Sequence, residues 1–433
     1  MSGSKQLWTS EALAPESNNL LERVVDRRNM SKACWRVVKN GGSPGVDGMK
    51  AADLWIWFQR NHDKLAKSLL DGNYRPQPVR LVEIEKPGGG KRGLGIPTVV
   101  DRMIQQAMHQ VLNPLFDPWF SESSFGYRKG RNAEQAVLQC QRYMQEGKHW
   151  VVDVDLSKFF DEVNHDVLMA KIKRRVGDKR MLKLIDRYLR TGIMQGGVAS
   201  PRKQGTPQGS PLSPLLSNIL LDELDKELER REHSFCRYAD DFVIFVKSEK
   251  AAERVFDSVV DFIVKKLKLR INGTKSQITK YHRLTFLGFG FLPGKEARLK
   301  VPKEIQKRFR KKAKLLFRMG RGRNLQRFIH DTLNPFLRGW ATYYRLCKVK
   351  TMVEELDGWI RRRLRLVIWR QWKRPRTRLK RLIAAGLDSD RARKSAYNGR
   401  GPWWNSRASH LNQALPNSLF AGLGLVSLRQ LML

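Results

Sequence analysis

Two short runs of β-forming residues, 234–238 (Ser-Phe-Cys-Arg-Tyr) and 242–246 (Phe-Val-Ile-Phe-Val), close around Ala239-Asp240-Asp241. Runs this short and this rich in aromatic and β-branched side chains read as strands, and the gap between them reads as a hairpin turn. An Asp-Asp pair in a polar turn ordinarily faces solvent. Here its flanks are Phe235, Phe242, Val243, Ile244 and Phe245, so the pair is expected at a hydrophobic sheet edge. A third run, Trp150-Val-Val-Asp-Val154, reads as a buried strand with Asp155 at its carboxyl end. Gathering negative charge at an apolar edge is costly unless a cation neutralises it. Carboxylate oxygens in that setting suit Mg²⁺. Two such ions about 3.5–4 Å apart lower the pKa of an attacking hydroxyl and stabilise a departing oxygen, which is the chemistry of phosphoryl transfer on nucleotides. These residues alone point to a metal-dependent enzyme acting on nucleic acid and leave polymerase and nuclease both open.

The organisation of the chain fits that reading. Residues 18–38 read as a helix, followed by a turn-rich stretch at 40–48. Residues 79–85 alternate like a strand, Lys86–Arg92 forms a basic glycine loop able to meet a triphosphate, and Asp101–Leu112 resumes helical spacing. Val255, Phe256, Val259, Ile263 and Leu267 share one stripe of a helix over 251–267. Alternating strand and helix signals up to about residue 292 predict an α/β or α+β catalytic domain. After Pro302 the strands stop. Lys303–Met319, Leu325–Leu346 (bent at Asn334-Pro335) and Met352–Trp372 read as basic amphipathic helices, and Pro375 marks a linker to a further small basic domain.

Charge identifies the partner class. The 83 Lys+Arg outnumber the 42 Asp+Glu, for a net charge of +41 over 433 residues. Residues 1–300 hold +16 of this and residues 301–433 hold +25, with 11 basic residues and no acid in Arg361–Arg381. Such a field attracts a polyanion, with binding that weakens steeply in salt. Interleaved rings (Trp340, Tyr343, Tyr344, Trp359, Trp369, Trp372, Trp403, Trp404) suit both core packing and stacking on unpaired bases. Nucleic acid is therefore the expected partner. No apolar run approaches the ~18 residues that cross a bilayer, and the first residues lack a signal-peptide pattern, so neither membrane nor secretion is expected. Cys34, Cys140, Cys236 and Cys347 lie too far apart in sequence for a zinc pattern and read as isolated thiols of a reducing cytosol.

Several segments resemble one family. Tyr238-Ala-Asp-Asp241 looks like the catalytic hairpin of reverse transcriptases, and Asp153-Val-Asp-Leu-Ser-Lys-Phe-Phe-Asp161 looks like the strand that supplies their third catalytic acid. That match implies Asp155, rather than Asp153, as the metal ligand beside Asp240 and Asp241. It also puts Phe160 where a bulky side chain crowds the sugar 2′-hydroxyl and selects deoxynucleotides. The segment 204–218 is similar to the template- and nucleotide-contacting segment, with Gln208 at its glutamine. Residues 271–276 resemble the segment whose lysine, here Lys275, approaches the triphosphate. Phe286-Leu-Gly-Phe-Gly290 looks like the primer-gripping hairpin, and Lys86 and Arg92 stand at the positions that hold the incoming phosphates. Gly-Ile-Pro-Thr (95–98), residues 124–131 and Leu-Arg-Gly-Trp-Ala-Thr-Tyr-Tyr-Arg (337–345) narrow the resemblance to group II intron-encoded reverse transcriptases and maturases.

The resemblance implies a right-hand polymerase fold. Residues 1–78 would open the fingers, 79–292 complete fingers and palm around a mixed sheet, 293–374 form an α-helical maturase or thumb domain, and 375–433 form a small basic DNA-binding domain. It further implies two Mg²⁺ ions, dNTPs, an RNA template with a DNA primer or target, and the intron RNA, working as a ribonucleoprotein in a bacterial cytoplasm during splicing and retrohoming. A domesticated reverse transcriptase of host defence or repair, and a splicing-only RNA-binding maturase, are the alternatives. Residues 381–433 contain one histidine (His410) and no cysteine, so the Cys/His-rich endonuclease of many relatives, and second-strand cleavage with it, is not expected.

Overall fold

The computed structural model describes residues 18–85, 90–195, 198–200, 204–206 and 209–433. The chain forms two compact units, Met1–Lys280 and Tyr281–Leu433.

The first unit is built on two four-stranded sheets. Strands β1 (Val79–Glu85) and β2 (Lys91–Ile96) form an antiparallel hairpin; β4 (Ile193–Gln195) joins β1 in parallel and pairs with β5 (Val198–Ser200), giving the order β2-β1-β4-β5. The other sheet is antiparallel throughout, with β3 (Trp150–Val154), β6 (Ser234–Tyr238), β7 (Asp241–Val246) and β8 (Gln277–Lys280) in the order β6-β7-β3-β8. Its central strands β3 and β7 are nearly all apolar because both faces are covered. Helices Ala133–Gln145, Ser213–Arg230 and Glu249–Phe262 pack against it. Val255, Val259, Ile263 and Leu267 are buried, so the helical stripe is present, although its last five residues widen into a π-type turn.

The helix expected over 18–38 is two helices, Leu20–Val25 and Arg27–Asn40. Asp26 leaves helical geometry at ψ 130° and its carboxylate accepts from the amides of Arg28 and Asn29, capping the second helix. These helices pack with Leu54–Leu70 and Val99–Phe116 beside the sheets.

The second unit opens with β9 (Thr285–Phe286), β10 (Phe289–Phe291) and β11 (Leu299–Lys300), then turns helical. Lys303–Met319 and Lys350–Gln371 are long helices. Between them, Leu325–Phe328 runs through a π-type turn at Ile329–Leu333 into Asn334–Tyr343. The widening falls where Pro335 has no amide to continue the α-helical ladder. Residues 375–433 form six short helices that share a core with this unit. Asp357, on the 350–371 helix, accepts hydrogen bonds from the Ser427 hydroxyl and the amides of Leu428 and Arg429, holding the last helix from 70 residues away. No described helix is long and apolar enough to cross a membrane, and all four cysteines are buried free thiols.

Candidate active site

Strand register decides where the three singled-out acids lie. Tyr238 pairs with Asp241, leaving Ala239 and Asp240 as a two-residue turn. Val154 pairs with Phe242 on the neighbouring strand, so Asp155 emerges from β3 beside Asp241. Asp155 is fixed by its own backbone: its amide donates to Ser276 Oγ at 3.0 Å and its carbonyl accepts from the Asn272 amide at 2.8 Å. Both partners come from the 271–276 segment. The same segment carries Lys275, whose Nζ lies 3.4 Å from Asp155 Oδ2.

The turn itself is held from beneath. Arg237 and Asp225 form a buried ion pair with no solvent exposure at either side chain. The Arg237 guanidinium also donates to the Asn218 side-chain oxygen and to the Ala239 carbonyl, both at 2.9 Å, while Asn218 donates to the Gly126 carbonyl. Ala239 sits at φ 60°, a left-handed conformation that costs a residue with a Cβ about 1–2 kcal/mol. Gly126 presses against it, since a Cβ there would fall 2.2 Å from the Ala239 amide nitrogen.

Electrostatics marks these acids as crowded. Burial raises the Asp240 carboxyl above its usual range, with Asp155 adding repulsion and Arg92 opposing it. Desolvation also lifts Asp241 to about 6, although it opens to solvent on one side; Asp240, Asp155 and Asp153 push the same way and Lys275 opposes. Among the described residues, no three His, Cys, Asp or Glu side chains stand close enough to hold one metal ion between them. The chemistry of the set nevertheless fits a hard divalent cation: the three carboxylates repel one another, and a lysine ammonium already lies against one of them.

Arg92 and Phe160 line a single cavity of about 480 Å³ together with Tyr127, Arg102, Gly209 and Ser210. Gly209 is needed there: its φ is 110° and a Cβ would approach the Gly95 carbonyl to 2.9 Å. The carboxylates do not line this cavity. Tyr127 links the two places, its hydroxyl raised by burial and by the Asp240 charge and lowered by Arg92. Lys86 and Gln208 lie outside the described residues.

Several supporting residues escaped the sequence reading. Arg237, Asp225 and Asn218 act through contacts 12 to 92 residues apart, and Ser276 and Asn272 through contacts with Asp155 more than 100 positions away. Tyr127, Asn218, Asn272 and Ser276 had a signal, since they fall inside the 124–131, 204–218 and 271–276 segments.

The family described as reverse transcriptase (RNA-dependent DNA polymerase) matches residues 84–291, and the group II intron, maturase-specific domain matches residues 306–383. Protein YkfC of Escherichia coli (strain K12) is 34% identical over 311 residues, covering 63% of this chain and 82% of that protein. The group II intron-encoded protein LtrA of Lactococcus lactis subsp. cremoris is 30% identical over 311 residues, 57% of this chain and 52% of LtrA, so the chain spans about half of LtrA's length. The putative COX1/OXI3 intron 1 protein of Saccharomyces cerevisiae is 34% identical over 221 residues, 49% of this chain and 25% of that protein.

Proposed function

The chain belongs to the group II intron-encoded reverse transcriptases and maturases, and from that membership we propose that it binds a group II intron RNA, assists its splicing and copies it into DNA with dNTPs from a DNA primer. The observation that carries this reading is the juxtaposition of Asp155 with Asp240 and Asp241 at one end of the central strands of the β6-β7-β3-β8 sheet, with Tyr127 between them and the cavity lined by Arg92 and Phe160.

In this reading residues 79–292 supply fingers and palm of a right-hand polymerase, with 1–78 ahead of them. Residues 293–374 supply the thumb, and 375–433 contact DNA. The reaction joins the primer 3′-oxygen to the α-phosphorus of a dNTP and expels pyrophosphate. Two Mg²⁺ held by Asp155, Asp240 and Asp241 would make the primer hydroxyl more acidic and steady the leaving oxygen. Arg92, with Lys86, binds the triphosphate through charge-assisted hydrogen bonds. Lys275 exchanges its contact with Asp155 for a phosphate oxygen as the nucleotide arrives. Gln208 positions the nucleotide, and Phe160, buried against the cavity wall, leaves no room for a 2′-hydroxyl. The protein works as a ribonucleoprotein in the bacterial cytoplasm, where its buried thiols stay reduced.

Asp240→Ala tests the assignment. Primer extension on an RNA template is expected to disappear while affinity for folded RNA stays within about twofold. Extension at the wild-type rate would remove Asp240 from the site.

A further inference from the structure

Phe160 lies in a one-turn helix, Phe159–Glu162, whose backbone is tied to residues 204–206. The Thr206 amide donates to the Phe160 carbonyl at 2.6 Å, and the Gly205 amide donates to the Val163 carbonyl at 2.8 Å. The two backbones touch so closely that only glycine fits. Gly205 has φ 89°, and a Cβ there would fall 2.6 Å from the Asp161 carbonyl oxygen and 2.8 Å from that of Phe160. Phe160 and Thr206 are both buried.

One side chain closes this seam. His165 begins the helix His165–Lys173, whose first turn is capped by Asn164. Its Nε2 lies 2.8 Å from the Gly205 carbonyl, and the residue is 4% exposed. A carbonyl can only accept, so Nε2 carries the proton and donates. Gly205 is thus held through both of its backbone groups, the amide by Val163 and the carbonyl by His165. A buried carbonyl stripped of its donor is costly. Without His165, residue 205 is driven to shift, and the Phe160 backbone fastened to 206 shifts with it. The last residue of the turn is held independently, by Glu162 on Arg270 at 2.8 and 2.5 Å.

We propose that His165 is a positioning residue for sugar selection: through Gly205 it fixes Phe160 in the cavity shared with Arg92, and so sets how strictly ribonucleotides are refused. This rests on the reading of Phe160 as the residue that excludes a 2′-hydroxyl. One hydroxyl is a small feature to refuse, and a wall that rejects it by contact must be held to about 0.5 Å by the residues behind it. The acids are fixed by other contacts. Asp155 is held by Ser276 and Asn272, and the Asp240 turn by Arg237. Loosening residue 205 therefore shows in selection rather than in turnover.

The test is primer extension by the full chain on an RNA template, with kcat and KM measured for a dNTP and for the matching ribonucleotide. Discrimination is the ratio of the two kcat/KM values. His165→Phe removes the donor at nearly constant volume, His165→Leu removes it with a smaller side chain, and His165→Gln keeps an N–H at similar reach. Thermal unfolding shows which variants fold. Phe160→Ala, which tests the underlying reading, is expected to lower discrimination roughly a hundredfold. His165→Phe and His165→Leu are expected to lower it about tenfold, the worth of one hydrogen bond, with kcat for the dNTP within about twofold of wild type. His165→Gln should restore most of the difference. Wild-type discrimination in His165→Phe and His165→Leu beside a relaxed Phe160→Ala would overturn the role of His165 and leave the Phe160 reading standing. Equal falls in kcat for both nucleotides, or a Gln variant as relaxed as the Phe variant, would make His165 a packing residue and overturn the proposal. Unchanged discrimination in Phe160→Ala would overturn the Phe160 reading and the proposal with it.

Discussion

Arg237 is fully buried, yet its contacts reach the turn that carries Asp240. Its charge is matched by Asp225, with contacts of 2.8, 3.0 and 2.5 Å, and its remaining donors reach Asn218 and the Ala239 carbonyl. Arg237→Met leaves the Asp225 carboxylate buried and unpaired, a change that costs about 3–5 kcal/mol. Replacing both partners, Arg237→Met with Asp225→Leu, removes the stranded charge and is expected to restore most of that stability. The donor to Ala239 stays lost, so the turn carrying Asp240 is free to shift. A misplacement of about 1 Å can lower a rate a hundredfold. The expected outcome is therefore a double variant with recovered thermal stability and a primer-extension rate still about a hundredfold down at saturating dNTP. Recovery of both together would make the pair purely structural.

Strands and helices show which features local pattern can reveal. The runs at 79–85, 150–154, 234–238 and 242–246 read as strands because apolar and β-branched content is a local property, and all four are strands. The approach of Asp155 to the Asp240-Asp241 turn was expected from the resemblance; its physical cause is a register between strands some 90 residues apart, which pattern alone does not show. The split at Asp26 and the π-type turn at Ile263–Leu267 were equally hidden, since each depends on which backbone groups find partners after packing, whereas Pro335 marked the break in the 325–346 helix. The hairpin at Phe286–Phe289 gives a test at this level. Its turn residues Leu287 and Gly288 have φ of 50° and 79°. Tyr343 donates to the Leu287 carbonyl at 2.8 Å, and the Tyr344 oxygen lies 2.9 Å from where a Gly288 Cβ would be. Both tyrosines belong to the 337–345 segment, so two stretches that carry the family resemblance pack on each other. Gly288→Ala meets both backbone strain and a collision, and is expected to destabilise by about 2 kcal/mol or more. Gly339→Ala, in an exposed helical position with nothing within 4 Å, is expected to stabilise by about 0.5–1 kcal/mol. Urea unfolding of the full chain, followed by tryptophan fluorescence, measures both; similar shifts would refute the hairpin argument.

Charge and chemistry are divided unequally along the molecule. The three acids and the cavity at Arg92 and Phe160 belong to Met1–Lys280, while +25 of the net charge falls in residues 301–433. That imbalance was legible in the sequence. How residues 375–433 share a core with the preceding helices was not, because it rests on single long-range contacts such as Asp357 with Leu428 and Arg365 with the Leu415 carbonyl. If polymerisation and RNA grip reside in different units, their losses should be independent. Substitutions that share no partners usually add to within about 0.3–0.5 kcal/mol. Combining Asp240→Ala with Lys314→Gln/Arg318→Gln/Arg321→Gln, three exposed basic positions of the second unit, should therefore give the RNA affinity of the triple variant alone, within about twofold. The variant Lys314→Gln/Arg318→Gln/Arg321→Gln by itself should keep most of its extension rate at saturating primer-template, because its three positions belong to the second unit and the carboxylates to the first. A combined variant much weaker for RNA than the triple variant would mean that the carboxylate turn holds RNA directly, and the division of labour between the two units would fail.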